Sequence, residues 1–372
     1  MIFVDEFIKE LKNNKISFFS GVPDSVLKNF TNELDHSRNF ENYILSNEGS
    51  AVATGIGYYL ATKKIPAIYM QNSGLGNSLN PIISIAHKKV YKIPMLLIIG
   101  WRGAPNLKDE PQHLAQGEIT QKILRLSGIK YCNLEKSQDL KKLRSLISYS
   151  KKTNQIVACL IKNKILKKKL IKKNKKSRKK IKKNELTRAS FIQIFLNNIN
   201  NQYKIISSTG YLSREIFSQI RKRNLKMKPF YMVGGMGHTS SVSLGYSMKS
   251  KKKVVCIDGD GSFLMHLGSA VSIRSYSKNN LKYILLNNSS HESVGGQKTN
   301  IEKLNLKLFT RSLGYKKYFY LSNKNKSKEI IKKFLKSQIS SFLHVDIKVN
   351  DIENELPRPK DLLKIKKEFL KK

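Results

Sequence analysis

The 372-residue sequence predicts an α/β protein of two domains, each a mostly parallel sheet flanked by helices, with no middle domain. Three observations predict it. Short apolar runs of strand length alternate with helix-length amphipathic segments from the start of the chain, the pattern of helices laid over a parallel sheet. The alternation stops at residues 162–183, where 14 of 22 residues are basic and none is acidic, and then begins again. The length also suits two domains of ordinary size better than one small module.

In chain order, strands are expected at 16–20, 43–46, 67–71, 95–100 and 155–161, with helices at 4–13, 25–33, 49–63, 77–88 and 137–150. Beyond the basic block come helix 188–198, strand 204–207, helix 213–222, strand 230–233 and helix 239–249. Strand 253–258, helix 263–277 and strand 283–287 follow, then a last helix–strand pair ending at 342–349. The domains are accordingly 1–161 and 186–372, joined by a basic linker at 162–185. Ligands of such sheets sit beyond the carboxyl ends of the strands, so the strand-to-helix turns are where chemistry is sought.

Composition narrows the function classes. Apolar residues at 40% and aromatics at 9% exclude wholesale disorder. The longest apolar run, 93–99, falls far short of the roughly 18 residues of a membrane span. Asp5, Glu6 and Glu10 stand where a secretion signal would need a basic start and a long apolar stretch. Cys132, Cys159 and Cys256 are widely spaced and odd in number. Neither a disulfide framework nor a zinc site is expected, and a cytoplasmic location is the default. The net charge of +44, from 70 Lys and Arg against 26 Asp and Glu, invites a polyanion reading. The excess is mostly lysine in a chain also rich in Asn and Ile, and its densest block has almost no aromatics to stack on bases. A solvated linker is expected, with salt-dependent nonspecific affinity at most and no specific nucleic acid or membrane partner.

The sharpest motif is Val254-Val-Cys-Ile-Asp-Gly-Asp-Gly-Ser262, a buried-type strand running into a glycine-flanked acid. A second strand ends at Asn287-Asn288. Glycines beside an acid let backbone amides approach phosphate, while the carboxylate takes a divalent cation. An oxygen ligand from the neighbouring strand end suits Mg²⁺. A plain Gly-rich turn beside an unrelated Asn pair is the alternative. The stretch from Gly259-Asp260-Gly261 to Asn287-Asn288 resembles the diphosphate-binding motif of thiamine-diphosphate-dependent enzymes. The resemblance implies thiamine diphosphate as cofactor, with Gly259, Gly261 and Ser262 at its diphosphate. It implies Mg²⁺ held by Asp260, Asn288 and the main-chain carbonyl of Ser290, with Asn287 as the alternative ligand.

That family also needs a glutamate to hydrogen-bond the aminopyrimidine ring from the other domain. In Tyr43-Ile-Leu-Ser-Asn-Glu48-Gly-Ser-Ala-Val-Ala-Thr-Gly-Ile-Gly57, Glu48 follows a strand and opens a helix. On its own such an acid only complements the helix dipole, worth about 0.3–1 kcal/mol. With the second motif it matches the catalytic glutamate. Gly234-Gly-Met-Gly-His-Thr-Ser240 is similar to the turn that contacts the pyrimidine, with Gly234 beside the cofactor and Met236 propping its bent form. As a plain reading, Met236 fills core. Gln71-Asn-Ser-Gly-Leu-Gly-Asn77 lacks the third glycine and later acid of a dinucleotide loop, and the resemblance puts its Gly74 near the cofactor.

The short form without a middle domain resembles the 2-oxo acid decarboxylases that act on phosphonopyruvate and sulfopyruvate. The likeness runs through Gly21-Val-Pro-Asp-Ser-Val-Leu27, Ile99-Gly-Trp-Arg-Gly103, Asp109-Glu-Pro-Gln-His113 and His291-Glu-Ser-Val-Gly-Gly-Gln297. It implies decarboxylation of 3-phosphonopyruvate in phosphonate biosynthesis. Sulfopyruvate decarboxylation or carboligation are the enzyme alternatives, and a basic nucleic-acid binder on an inactivated scaffold is the non-enzyme one. The small-molecule substrate is a 2-oxo acid with a distal anion, for which Arg102 offers a guanidinium fork. His113, Lys298, Gln297 and His291 follow as substrate candidates, and Asp24 and His113 as proton-relay groups in loops. Surface charge, a helix N-cap at Asp24 and loop hydrogen bonds are the plain readings. A homodimer or larger homo-oligomer with shared active sites is implied.

Overall fold

The computed structural model describes residues 1–168, 185–277, 279–348 and 356–371. The chain forms two compact units, Met1–Lys176 with Val294–Gln297, and Ser177–Ser293 with Lys298–Lys372. Most of the expected linker, 169–184, lies outside the described residues, as does residue 349 of the last expected strand.

The first unit holds β1 (Ile2–Phe3), β2 (Phe18–Gly21), β3 (Glu41–Ile44), β4 (Ala67–Gln71), β5 (Leu96–Trp101), β6 (Lys130–Leu134), β7 (Val157–Lys162) and β8 (Leu166–Lys167). Six of these make one sheet in the order β3-β2-β4-β5-β7-β6, every pair parallel. The small strand β8 pairs with β1, so the fold of this unit continues past residue 161. The second unit holds β9 (Tyr203–Ser207), β10 (Phe230–Tyr231), β11 (Lys253–Gly259), β12 (Leu281–Asn287), β13 (Lys317–Leu321) and β14 (Ser341–Asp346). Their order is β10-β9-β11-β12-β14-β13, again all parallel. The two sheets therefore share one connectivity.

Continuous apolar runs make the central strands because both faces of a parallel sheet are covered. In β5, Leu96 and Ile98 pack with Phe7, Phe30 and Tyr69, while Leu97 and Ile99 pack on the other face with Met70 and Leu124. In β11, Val255 and Ile257 meet Phe191, Phe195 and Phe334; Val254 and Cys256 meet Phe263, Tyr283 and Phe342. Alternation along each strand thus serves two cores, each fully buried side chain contributing about 1.5–3 kcal/mol. Strand order reverses between β2 and β4 and between β9 and β11, the switch points where open sheets take ligands.

Several expectations change. Helix Pro111–Leu126 and β6 were not expected, nor was helix Leu362–Leu370. His113 lies in the first turn of Pro111–Leu126 and not in a loop. The single helix expected at 263–277 is two, Asp260–Met265 and Ser269–Tyr276, broken around His266 and Gly268. The last helix–strand pair is doubled, with helices Leu306–Ser312 and Ser327–Lys336 before β13 and β14.

Gly117 explains the hidden helix. A Cβ there would lie 1.6 Å from the Gly103 carbonyl oxygen, and one at Gly103 (φ +64°) would lie 1.9 Å from that of His113. A glycine inside a helix ordinarily costs about 1 kcal/mol against alanine, so Gly57→Ala, with nothing near its Cβ, should be neutral or stabilising. Gly117→Ala should instead destabilise by roughly 1–3 kcal/mol through overpacking. Parallel thermal melts of the two variants check this, and equal stability would refute the close approach.

Candidate active site

In the first unit, Glu48 is the first residue of helix Glu48–Thr62, after β3. Asn47 caps the helix, its side chain accepting from the Ser50 amide at 2.8 Å. The Glu48 side chain is buried, and its Oε2 accepts from Asn77 Nδ2 at 2.8 Å. Gly74 passes so close that a Cβ would stand 2.5 Å from Glu48 Cγ and 2.6 Å from its Oε1. A Cβ at Gly49 would lie 2.8 Å from the Asn77 carbonyl oxygen. The turn after β4 therefore clasps the carboxylate, and Gly74 is small because Glu48 occupies the space.

Asp24 follows β2, buried, with Oδ2 accepting from the Val26 amide at 3.0 Å and Oδ1 from Gln71 Nε2 at 2.7 Å. The next helix starts only at Lys28, so Asp24 closes a local turn ahead of it. Burial pushes its pKa up, against the pull of Gln71 and nearby Arg102. Arg102, just beyond β5, is held by Asp109: Nε donates to Oδ2 at 2.7 Å and Nη2 to Oδ1. Its Nη1 reaches Ser25 Oγ at 3.3 Å. Burial alone would raise the Asp109 pKa, but the Arg102 fork and the Gly103 and Glu110 amides hold it well below the usual carboxylate range. Gln297, in the short stretch belonging to this unit, donates to Asn32 Oδ1 at 2.9 Å and Thr31 Oγ1 at 3.3 Å.

In the second unit, β11 delivers Asp260 to the start of helix Asp260–Met265. Asp260 is buried and its Oδ2 accepts from Thr299 Oγ1 at 2.6 Å. Burial pushes its pKa up to about 6, against hydrogen bonds from Thr299 and the Gly261 and Ser290 amides. Neighbouring Asp258 is occupied structurally, accepting from Tyr283 Oη at 2.8 Å and the Gly259 amide at 3.0 Å. A Cβ on Gly259 would meet nothing within 4 Å, leaving open space at the backbone. Ser262 Oγ accepts from the Gly237 amide at 3.0 Å, tying the Gly234–Gly237 turn to the Asp260 helix.

The loop after β12 comes to the same place. Asn288 Oδ1 accepts from the Ser290 amide at 3.1 Å. Asn287 turns to the sheet, donating to Asp346 Oδ1 at 2.9 Å, and its Oδ1 takes both the Ser289 amide and hydroxyl. Met236 and His291 converge on Gly261, where a Cβ would stand 3.2 Å from Met236 Cε and 2.9 Å from His291 Cε1. Burial pushes the His291 pKa down to about 4. Lys298 is exposed and bridges in the backbone to Ser290.

The second unit thus gathers Asp260, Asn288, Ser290, Met236, Gly261 and His291, and the first gathers Glu48 and Gly74, with Asp24 and Arg102 nearby. An all-oxygen donor set at Asp260 and Asn288 beside open backbone at Gly259 fits a hard cation carrying phosphate. No cluster of three His, Cys, Asp or Glu suited to a metal occurs among the described residues. Asn77 and Thr299, the partners of the two carboxylates, were not anticipated. Among the described residues no helix is long and apolar enough to cross a membrane.

Comparison with known proteins follows this division. The N-terminal thiamine pyrophosphate-binding domain of thiamine pyrophosphate enzymes matches residues 1–124, and the C-terminal thiamine pyrophosphate-binding domain matches 209–345. A phosphonopyruvate decarboxylase of Streptomyces hygroscopicus is 29% identical over 85% of this chain and 80% of its own. One of Streptomyces viridochromogenes is 28% identical over 97% of this chain and 92% of its own. A sulfopyruvate decarboxylase of Methanosarcina acetivorans is 26% identical over 92% of this chain and 91% of its own.

Proposed function

The chain belongs to the thiamine pyrophosphate enzymes, and from that premise we propose that it decarboxylates 3-phosphonopyruvate to phosphonoacetaldehyde and CO₂, using Mg²⁺ with the cofactor, as a step of phosphonate biosynthesis. It is a decarboxylase of the phosphonopyruvate and sulfopyruvate type. What supports the substrate is the likeness to two phosphonopyruvate decarboxylases along most of the chain, and what supports the cofactor and metal roles is a buried carboxylate beyond the carboxyl end of a strand in each unit. Glu48 is clasped by Gly74 and Asn77, and Asp260 stands beside the Asn288 loop.

When bound, thiamine diphosphate supplies the electron sink for the pair released as CO₂ leaves. This chain's residues do the rest. Glu48 holds the aminopyrimidine ring by hydrogen bond, its orientation fixed by Asn77. Asp260, Asn288 and the Ser290 carbonyl hold Mg²⁺ on the diphosphate, and Asn288 is the better ligand because Asn287 Oδ1 already accepts two donors. Gly234 and Met236 support the ring. Asp24, with its raised pKa, and His113 hold and move protons near the product carbon. Arg102 meets the distal phosphonate, with Gln297, Lys298 and His291 as further substrate contacts; Asp109 orients the guanidinium meanwhile. A homodimer or larger homo-oligomer with shared sites completes the reading, and sedimentation of fully active monomer would overturn that part.

Turnover of phosphonopyruvate and sulfopyruvate by the purified chain, with and without thiamine diphosphate and Mg²⁺, tests the reaction through CO₂ release. Preference for sulfopyruvate would move the substrate to the alternative supported by the Methanosarcina relative. Arg102→Ala should raise KM for phosphonopyruvate about 10–100-fold, the worth of a hydrogen-bonded charge pair, and far less for pyruvate. Equal losses on both would remove Arg102 from the phosphonate role.

A further inference from the structure

Arg188 is oddly placed for a residue serving only its helix. It is the first residue of Arg188–Asn198, behind a Thr187–Ser190 capping box. A cation there opposes the helix dipole, and an acid would serve better. It is also buried, which is costly for a guanidinium without compensation. The compensation comes from Glu292, whose Oε2 accepts from Arg188 Nη1 at 2.6 Å. The Tyr211 ring lies 5.2 Å beneath the guanidinium.

The pairing is not the two-bond fork that arginine and carboxylate form when strength alone matters. Arg188 Nε and Glu292 Oε1 are both buried without a hydrogen-bond partner among the described residues. Glu292 Oε2 is instead shared, for it also accepts from Asn288 Nδ2 at 3.0 Å. At its other end, Asn288 Oδ1 accepts from the Ser290 amide. A carboxylate can only accept and a backbone amide can only donate, so a flipped Asn288 would lose both bonds. Its oxygen is therefore kept on the Ser290 side, the side from which Ser290 also reaches Asp260.

We propose that Glu292, braced by Arg188, is a positioning residue that fixes the amide orientation of Asn288 and so presents its oxygen to the cation. The proposal deepens the metal assignment above and rests on it. Ligands are commonly oriented by partners of this kind, whose loss costs about 10–100-fold in metal affinity.

The test is calorimetric titration of the full-length chain with thiamine diphosphate at graded Mg²⁺, which needs no turnover. Glu292→Leu, which leaves Asn288 Nδ2 without its acceptor, should raise the half-saturating Mg²⁺ concentration about 10–100-fold. The pair Arg188→Met with Glu292→Leu, which strands no buried charge, should do the same if the single variant folds poorly. Added to Asn288→Ala, Glu292→Leu should have no further effect, because it acts through that amide. A normal Mg²⁺ requirement in the Glu292 variants that fold, or effects that multiply with Asn288→Ala, would overturn the proposal while leaving the metal ligands standing. A normal requirement in Asn288→Ala itself would overturn the ligand assignment and this inference together, and Asp260→Ala would then report whether the wider metal reading survives.

Discussion

Glu48→Gln is expected to slow CO₂ release about 10²–10⁴-fold, the span of a lost acid–base group, while thiamine diphosphate still binds. Glutamine keeps the length and the acceptor oxygen facing Asn77 Nδ2, so the Gly74 clasp and the helix start remain. What it removes is the negative charge that would strengthen the hydrogen bond to the cofactor ring. The separate readout is exchange of the cofactor's acidic carbon-bound hydrogen with deuterium, followed by NMR on the bound complex, which should slow in step with turnover. Wild-type exchange and turnover in this variant would end the case for Glu48 as the catalytic glutamate and return it to complementing the helix dipole.

Asp260→Asn is expected to act in opposite directions on binding and on stability. Thiamine diphosphate should lose its Mg²⁺-dependent binding by more than about 100-fold, exceeding what an orienting partner costs. Without metal, however, the variant should melt higher than the parent at pH 7. The folded-state pKa of Asp260 is raised to about 6 by burial, above the roughly 3.9 of an unfolded aspartate. The folded chain thus binds more protons than the unfolded one between those values, and this group's contribution to stability falls as pH rises through about 4 to 6. At neutral pH the hydrogen bonds from Thr299 and the Gly261 and Ser290 amides offset the burial of this charge only in part, and the amide removes the remaining cost. Melting curves at pH 4 and 7 without metal should show the gain at pH 7 and little at pH 4; a variant less stable at pH 7 would contradict it. Sites kept for function commonly carry such a stability penalty.

The sequence made the central strands legible because residues such as Leu96–Ile99 and Val254–Ile257 are apolar on both faces. It also pointed to Glu48, Asp24, Asp260 and Asn288, the side chains to which the proposal gives the cofactor, proton-relay and metal roles. It hid helix Pro111–Leu126 because Gly117 interrupts a weak pattern for a reason lying fourteen residues earlier in the chain, at Gly103. The 263–277 segment reads as one amphipathic stretch, yet the chain turns at His266 to seat Asp260 on its own short helix. Asn77 and Thr299 were out of reach for another reason. Their hydrogen bonds to Glu48 and Asp260 span 29 and 39 residues, and no local spacing encodes a partner that only the sheet brings near. Arg188 and Glu292, 104 residues apart, lie further out of local reach still.

The shared connectivity of the two sheets bears on how the chain is born. Strands β2 to β7 are complete by Lys162, so the N-terminal sheet can close while the remainder is still emerging from the ribosome. The hydrogen bonds to the helix beside it are late arrivals, since Gln297 reaches Thr31 and Asn32 only after β12 has been translated. A nascent chain arrested before that point would carry a finished sheet with one seam unfastened, and sensitivity to protease at the Thr31 helix should drop once Gln297 is added.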